Sequence, residues 1–486
     1  MRTLPLDENS LVNRFGIVFV GGGPAGLAPL LAAHRLGHLT DLLADGVAIV
    51  ERSPALGAGS IGGYAINSDS SGTTFVDCLR SPERTRLTEL VGHPLTRKLA
   101  AAGEQAVPLR DAGEFLGLVG ETLAGMVAEH SACAVLTSHE ALSARRVADG
   151  WEVAVRDAQG RERTLFARNV VLATGARQPV ERLTAETVGG ESLVERCGVR
   201  LMQSGDVLST GGLQQMATHL AGLAAPRVVV VGGSTSAAAV CHALLNRMPQ
   251  VRFAAGGITL MHRRELRIYY PDAASATAEG YTEFTDDDIC PISGRVFRFA
   301  GFRLDSRELV MQARGIGGRA AEPRLALHML QQPADPAAWR IIEAADVVIA
   351  AIGYRPNVLP VLDEAGAPIT LLARTGPQQP LVDGRCRVLD AAGVPLAGLF
   401  GIGLAAGFVP RGRLGGEPSF RGQANGLWLW QNDVGALIVD AVRAPALPGF
   451  ELPAFELSDA LPDPGSAWPH ATVAWDAAAA TVGERV

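Results

Sequence analysis

The sequence predicts an α/β fold with two dinucleotide-binding units in tandem, and three observations predict it. A short apolar run, Gly16 to Val20, enters the glycine turn Gly21-Gly22-Gly23-Pro24-Ala25-Gly26 and then a helix-like stretch from Leu27 to Leu36. The plan returns at Arg227 to Val231 with Gly232-Gly233-Ser234-Thr235-Ser236-Ala237. Each unit then closes on a buried strand ending small-X-Gly, Ala173-Thr174-Gly175 in the first and Ala351-Ile352-Gly353 in the second. Short apolar runs bounded by glycine read as strands of a parallel sheet, buried on both faces.

In the first unit each loop residue has a mechanical task. Gly21 makes the turn out of the strand, Gly23 lets the backbone approach a pyrophosphate, and Gly26 lets helix and strand pack closely. The anion then rests on the free N–H groups of the first helical turn, where Pro24 and Ala25 lie. A second strand, Val47 to Val50, ends in Glu51, placed to take both hydroxyls of an adenosine ribose, with Arg52 beside it. Glu51 lies later than the usual ~20 residues after such a loop. The stretch from His38 to Asp45 therefore reads as extra chain between helix and strand. Pro29 falls inside the helix and removes one hydrogen bond, so a kink or a short first turn is expected.

Composition narrows the function. The chain has 486 residues, enough for two or three large α/β units, and 48% hydrophobic content suits a well-buried enzyme. With 43 basic and 50 acidic residues the net charge is −7, which argues against a nucleic-acid partner. Lys98 is the only lysine, so chemistry needing a second one is excluded. Cys78, Cys133, Cys197, Cys241, Cys290 and Cys386 are far apart, with neither metal nor redox spacing, so no metal site is expected. Met1 to Asn13 lacks an apolar signal core, and no run of ~18 apolar residues occurs; a cytoplasmic, reduced, membrane-free protein is the expectation.

After Glu51, glycine and serine dominate as far as Gly72, which suggests backbone running close to a flat cofactor. Thr73 to His130 is mostly helical, with an amphipathic candidate over Phe115 to His130. Ala134 to Leu136, Ala141 to Ala148, Trp151 to Asp157 and Thr164 to Ala167 alternate around Asp149-Gly150 and Gln159-Gly160, a small antiparallel meander. It feeds the strand ending at Thr174-Gly175, which brings backbone to the first cofactor again.

In the second loop Ser234 replaces a glycine, and serine hydroxyls can themselves bond phosphate. Its second strand ends His262-Arg263-Arg264 where the first unit has an acid, so NADPH is preferred to NADH. Glu283 to Asp288 is an acidic cluster without metal-ligand spacing, read as a solvated loop. Leu309 to Ala313, Leu325 to Leu330 and Trp339 to Ala344 suggest a second meander before the strand ending at Gly353. A late buried strand runs from Pro395 to Leu404 through Gly403, and a helix is expected from Phe420 to Val442. From Pro445 onward a proline-rich tail should wrap the surface. The domain reading is residues 1–222 for the first unit, 223–375 for an inserted second unit, and 376–486 for the return and tail.

This order of parts, from the first glycine loop with Glu51 to Ile352-Gly353-Tyr354-Arg355-Pro356-Asn357 and the late glycine strand, resembles the two-dinucleotide-binding flavoproteins. Over about Phe15 to Asp440 it is similar to the flavin-containing and N-hydroxylating (class B) monooxygenases. The resemblance implies two Rossmann-like domains of glutathione-reductase type. It places FAD on Gly21, Gly23, Pro24, Ala25, Gly26, Glu51, Arg52, Thr174, Gly175 and Gly403. It places NADPH on Gly232, Ser234, Thr235, Ser236, Arg263, Arg264 and Gly353. Asn67 resembles the asparagine such enzymes set beside the flavin and is the candidate catalytic residue.

Three features depart from the family. The Phe-x-Gly-x-x-x-His fingerprint is missing between Gly175 and Arg227, Gln203-Ser204 stands where N-hydroxylases often have His-Ser, and Leu404 replaces a frequent aspartate. The activity implied is hydride transfer from NADPH to the flavin, addition of molecular oxygen at C4a, and oxygenation of a small nitrogen nucleophile by the hydroperoxide. An NADPH-dependent reductase or oxidase without oxygenation is the alternative, and a flavin-binding redox sensor or inactive scaffold is the third reading. A small-molecule substrate, oxygen and a possible homo-oligomer complete the expected partners.

Overall fold

The structure is a computed structural model and describes residues 14–188, 190–331, 334–376 and 379–444. Met1 to Asn13 and the tail from Pro445 onward lie outside the described residues.

Strand β1 (Arg14–Val20) is buried from Phe15 to Val20 and lies between two parallel neighbours, β2 (Val47–Glu51) and β3 (Glu162–Leu172). The connecting helix α1 (Pro24–Arg35) is apolar on nearly every side, so Gly26 through His34 are all buried. Pro29 sits within one uninterrupted helix, and the extra chain before β2 contains a short helix, Leu39–Ala44.

Strand β3 is long enough to serve three partners. Its first half completes the expected antiparallel meander with Gly150–Asp157 and His139–Val147, where alternate residues Trp151, Val153 and Val155 face the core. Its second half pairs in parallel with β1 and with the late strand Pro395–Gly401. Trp151 Nε1 donates to Ala397 O at 3.0 Å and pins the meander to that strand. Ala134–Thr137 does not belong to the meander; it extends the parallel part beside β2.

The second sheet is parallel throughout. Its strands are β4 (Val228–Val231), β5 (Ile258–His262), β6 (Leu325–Met329) and β7 (Val347–Ala350), with Leu201–Gln203 on the outer side of β7. Helix α2 (Thr235–Asn246) connects β4 to β5. The sheet thus begins ahead of residue 223, and Val361–Leu362 already pairs with the meander strand His139–Val147.

The expected second meander is corrected. Leu309 to Ala313 lies in helix α3 (Leu304–Arg314), Leu325 to Leu330 corresponds to the parallel strand β6, and Trp339 to Ala344 lies mostly in helix α4 (Pro336–Glu343). The reason is burial pattern: Ser306, Leu309 and Val310 are the inward stripe of a helix stopped by left-handed Gly315 at φ 66°.

The last helical segment starts at Leu427, not Phe420, and runs through a π turn at Trp430–Val434 into the helix Gly435–Arg443. Gly435 allows its approach to α1, because a β-carbon there would stand 2.8 Å from Ala28 O. Asp288 of the acidic cluster is not solvated. It is buried, accepts from Thr285 N at 2.9 Å and from Ser419 Oγ at 2.6 Å, and caps its own turn.

Candidate cofactor and active site

The first glycine loop is built around absent side chains. Gly21, at φ +108°, donates its N–H to Val50 O at 2.8 Å, and a β-carbon there would collide with the Ala173 carbonyl oxygen. A β-carbon on Gly26 would collide with Gly21 O, so strand and helix touch through bare backbone. Gly23 caps α1 without any side-chain bond to the helix start, leaving that end open for an anion.

Glu51 Oε2 accepts the Gly22 N–H at 2.7 Å and Oε1 accepts the Ser53 N–H at 2.8 Å. Two backbone donors thereby fix the carboxylate while leaving lone pairs for ligand hydroxyls. Arg52 is exposed beside it. Gly403, at φ +117°, brings the end of the late strand onto the same loop, since its β-carbon would lie 3.0 Å from Ala25 Cβ. The close backbone approach that these glycines allow, with the open helix start, fits an adenine dinucleotide.

The second loop repeats the geometry. Gly232, at φ +144°, donates to Met261 O at 2.9 Å, and its β-carbon would meet Ala351 O as that of Gly21 meets Ala173 O. Ala173 N bonds Val20 O and Ala351 N bonds Val231 O, both at 2.8 Å. Ser234 and Thr235 are exposed at the start of α2 and Ser236 is half-buried.

The position of Glu51 is filled here by His262: Gly22 faces Glu51 Cβ at 3.2 Å, and Gly233 faces His262 Cβ at 3.1 Å. The two arginines follow one step later. Arg263 pairs with Glu186 Oε1 at 2.6 Å and donates to Thr187 O, whereas Arg264 is exposed. Both loops thus carry a cradle; a single arginine, Arg52, follows the first strand end, and two, Arg263 and Arg264, follow the second.

Thr174 and Gly175 sit at the crossing between the units. Asn357 Nδ2 donates to Thr174 O at 3.1 Å, Asn357 N donates to Gly175 O at 2.9 Å, and Thr174 Oγ1 donates to Asn357 O. The two small-X-Gly segments are therefore laced together, with Ala176 paired to Pro356. Gln203-Ser204 lies against the same crossing, for Gln178 Nε2 donates to Ser204 Oγ at 2.9 Å. Tyr354, next to Gly353, has its hydroxyl pushed up by burial and by Tyr64 and Asp206.

The glycine- and serine-rich chain after Glu51 reaches across to the second unit. Asn67 Nδ2 donates to Asp305 Oδ2 at 2.8 Å, and Arg247 Nη2 donates to Asn67 Oδ1 at 2.7 Å. Both amide atoms of the candidate catalytic residue are thus engaged by charged groups.

Asp69, two residues on, is exposed to water, though protein atoms crowd around its carboxyl. Burial pushes its carboxyl up to about 7; Arg303 pulls it back and Asp305 adds to the rise. Arg303 lies 4.2 Å over the Tyr269 ring. Asp69, Arg247, Arg303 and Asp305 were not singled out in the sequence. Asp69 lies in the glycine- and serine-rich chain after Glu51, but no sequence pattern linked it to α3.

Two matched glycine cradles at the ends of parallel strands, laced at their crossing, are the fold of a protein with two dinucleotide-binding units. No established family profile matches the chain. It is 34% identical over 438 residues to the CMP-5'-(3-aminopropyl)phosphonate hydroxylase of Streptomyces rubellomurinus, covering 89% of this chain and 98% of that protein. The reduced ornithine hydroxylase of Pseudomonas aeruginosa shares the fold at TM-score 0.51 and 15% identity, over 88% of this chain and 98% of that one. A second structure of that hydroxylase gives 0.50 at 14% identity, with the same shares covered. The chain belongs to the N-hydroxylating flavin monooxygenases, the family of these hydroxylases. It is an oxidoreductase. Among the described residues, no helix is long and apolar enough to cross a membrane.

Proposed function

We propose that the protein hydroxylates the primary amine of a nucleotide-linked aminoalkylphosphonate, using molecular oxygen. The observation that carries this substrate reading is the full-length 34% identity to a hydroxylase named for such a compound. FAD is held by Gly21, Gly23, Pro24, Ala25, Gly26, Glu51 and Arg52, with Thr174, Gly175 and Gly403 closing over it. NADPH is held by Gly232, Ser234, Thr235, Ser236 and Gly353, and Arg263 and Arg264 select its extra phosphate. Bound FAD, reduced by NADPH, supplies the activation of oxygen.

The chain's own residues have three tasks. The glycine loops orient the cofactors. Asp69 accepts the proton of the substrate ammonium, so that the nitrogen lone pair is free to react. Asn67 acts as a positioning residue, because its amide ties the Asp69 segment to Asp305 and Arg247.

The test is product balance. The FAD-loaded enzyme is given NADPH, oxygen and, in separate reactions, a CMP-linked aminoalkylphosphonate, ornithine or lysine. Hydroxylamine matching NADPH consumed with the nucleotide-linked amine is the expected result. Product from ornithine or lysine alone overturns the substrate assignment. Hydrogen peroxide in full yield with every amine favours the oxidase reading.

A further inference from the structure

The second sheet has its topological switch point between β4 and β7. From β4 the chain passes through α2 to β5 on one side, while the other neighbour of β7 is Leu201–Gln203. In open α/β sheets, ligands bind in the crevice beyond the strand ends at such a point. The loops bordering it are Gly232 to Ser236 and Ile352 to Arg355.

Two arginines meet there. Arg182 comes from the helix Val180–Ala185, and a β-carbon placed on Gly353 would stand 3.6 Å from its Nη1. Arg355 follows Gly353 by two residues, and its backbone pairs with Arg177. Arg182 Nε and Arg355 Nη2 are both shut off from water, and neither has a hydrogen-bond partner among the described residues. Arg200 shows what a structural arginine does in this fold, giving its Nη1 to the carbonyls of Ile342 and Ala345 at 3.1 and 2.6 Å.

Charge supports the same reading. Burial lowers the pKa of both guanidinium groups; beside Arg355 the Arg182 charge lowers it further, and at Arg182 the neighbours are Glu186, which raises it, and Arg263, which lowers it. Glu186 is already paired with Arg263. Half-buried guanidinium groups of like charge, each with an unused buried donor, suit an anion that can take several N–H bonds at once. A phosphate does so through the planar fork of arginine.

We propose that Arg182 and Arg355 form a nucleotide-phosphate site at the switch point of the second sheet, beyond the glycine loop and the Arg263–Arg264 pair. The phosphate comes from the pyrophosphate bridge of NADPH or from the nucleotide-linked amine, and only the latter source rests on the substrate proposed above.

The experiment uses the FAD-loaded protein and its Arg182→Gln, Arg355→Gln and doubly substituted variants. Each is titrated calorimetrically with NADP+ and, separately, with CMP. Loss of at least tenfold in affinity for NADP+ assigns the site to the cofactor. The same loss for CMP assigns it to the substrate. Affinity for NADP+ that is unchanged, together with affinity for CMP that is unchanged or with a parent protein that binds no CMP, overturns the proposal. If a glutamine variant loses FAD or melts early, Arg182→Lys and Arg355→Lys keep the charge without the fork, and the same titrations decide. Absence of CMP binding to the parent protein counts against the substrate reading alone, because the NADP+ titration still decides the site.

Discussion

Glu51 shows how much one side chain settles at the first loop. Its carboxylate holds the N–H groups of Gly22 and Ser53 at 2.7 and 2.8 Å, so Glu51→Gln must aim an amide NH2 at one backbone donor. An unmet donor of this kind costs about 1–3 kcal/mol. Affinity for FAD should therefore fall at least tenfold, measured by flavin fluorescence on titrating apoprotein; undiminished affinity would remove Glu51 from the FAD site. Asp69 gives a pH prediction. Its carboxyl is raised to about 7, so the ionised form appears as pH rises through that value, and amine turnover should rise with it. Asp69→Asn should flatten that limb of the kcat/KM profile. Stability has the opposite sign. The folded state holds this proton more tightly than the unfolded chain, so the contribution is present below the ordinary carboxyl range and is lost as pH rises through about 7. Melting curves should accordingly show the asparagine variant gaining on the parent above that pH. Gly21, Gly26 and Glu51 were legible because their roles are local: a turn, a close approach and a strand end. Asp69 and Asp305 were not, because only the folded crossing brings them near each other.

The elements divide along the same physical line. Strands between glycines follow from continuous apolar runs, and the meander strands with alternating Trp151, Val153 and Val155 from a period of two; both were read correctly except for Ala134 to Leu136, which joins the parallel strands. The second meander was misread because short apolar runs do not distinguish a buried strand from the inward stripe of a helix. Asp335-Pro336, a helix start written in the sequence, could have corrected it. Asp335 Oδ1 accepts the Ala338 N–H at 2.9 Å, and Oδ2 accepts from Gln331 N at 3.0 Å and lies 2.8 Å from His328 Nε2. The backbone N–H of Gln331 foremost, then that of Ala338 and the His328 ring, hold this carboxyl down to about 2 against the cost of burial. Asp335→Ala should cost about 2 kcal/mol in urea unfolding at neutral pH, since it removes a cap and strands buried donors. The contribution of a lowered acid is present above the ordinary carboxyl range and is lost as pH falls through about 2. The gap between variant and parent should therefore narrow in acid, and a constant gap would contradict this account of the cap.

At the scale of the molecule, two cradles must serve one reaction, and the structure separates holding from coupling. Gly232→Val puts a branched side chain at φ +144° and drives a β-carbon into Ala351 O. It should abolish NADP+ binding while the flavin, held on the other sheet, remains bound in full. The links between units lie elsewhere, in the Thr174–Asn357 lacing and in Asn67 with Asp305 and Arg247. Asn67→Ala removes two hydrogen bonds to charged partners, each worth about 1.5–3 kcal/mol, from the segment that carries Asp69. Neither glycine cradle is touched, so FAD content and NADP+ affinity should stay within about twofold. What should change is the fate of the electrons: NADPH oxidation continues, hydroxylamine per NADPH falls severalfold, and hydrogen peroxide makes up the difference. Measuring all three in one reaction separates this from simple damage, which lowers NADPH oxidation as well. Full coupling in the variant would mean that Asn67 only decorates the crossing and that another group aligns amine with flavin.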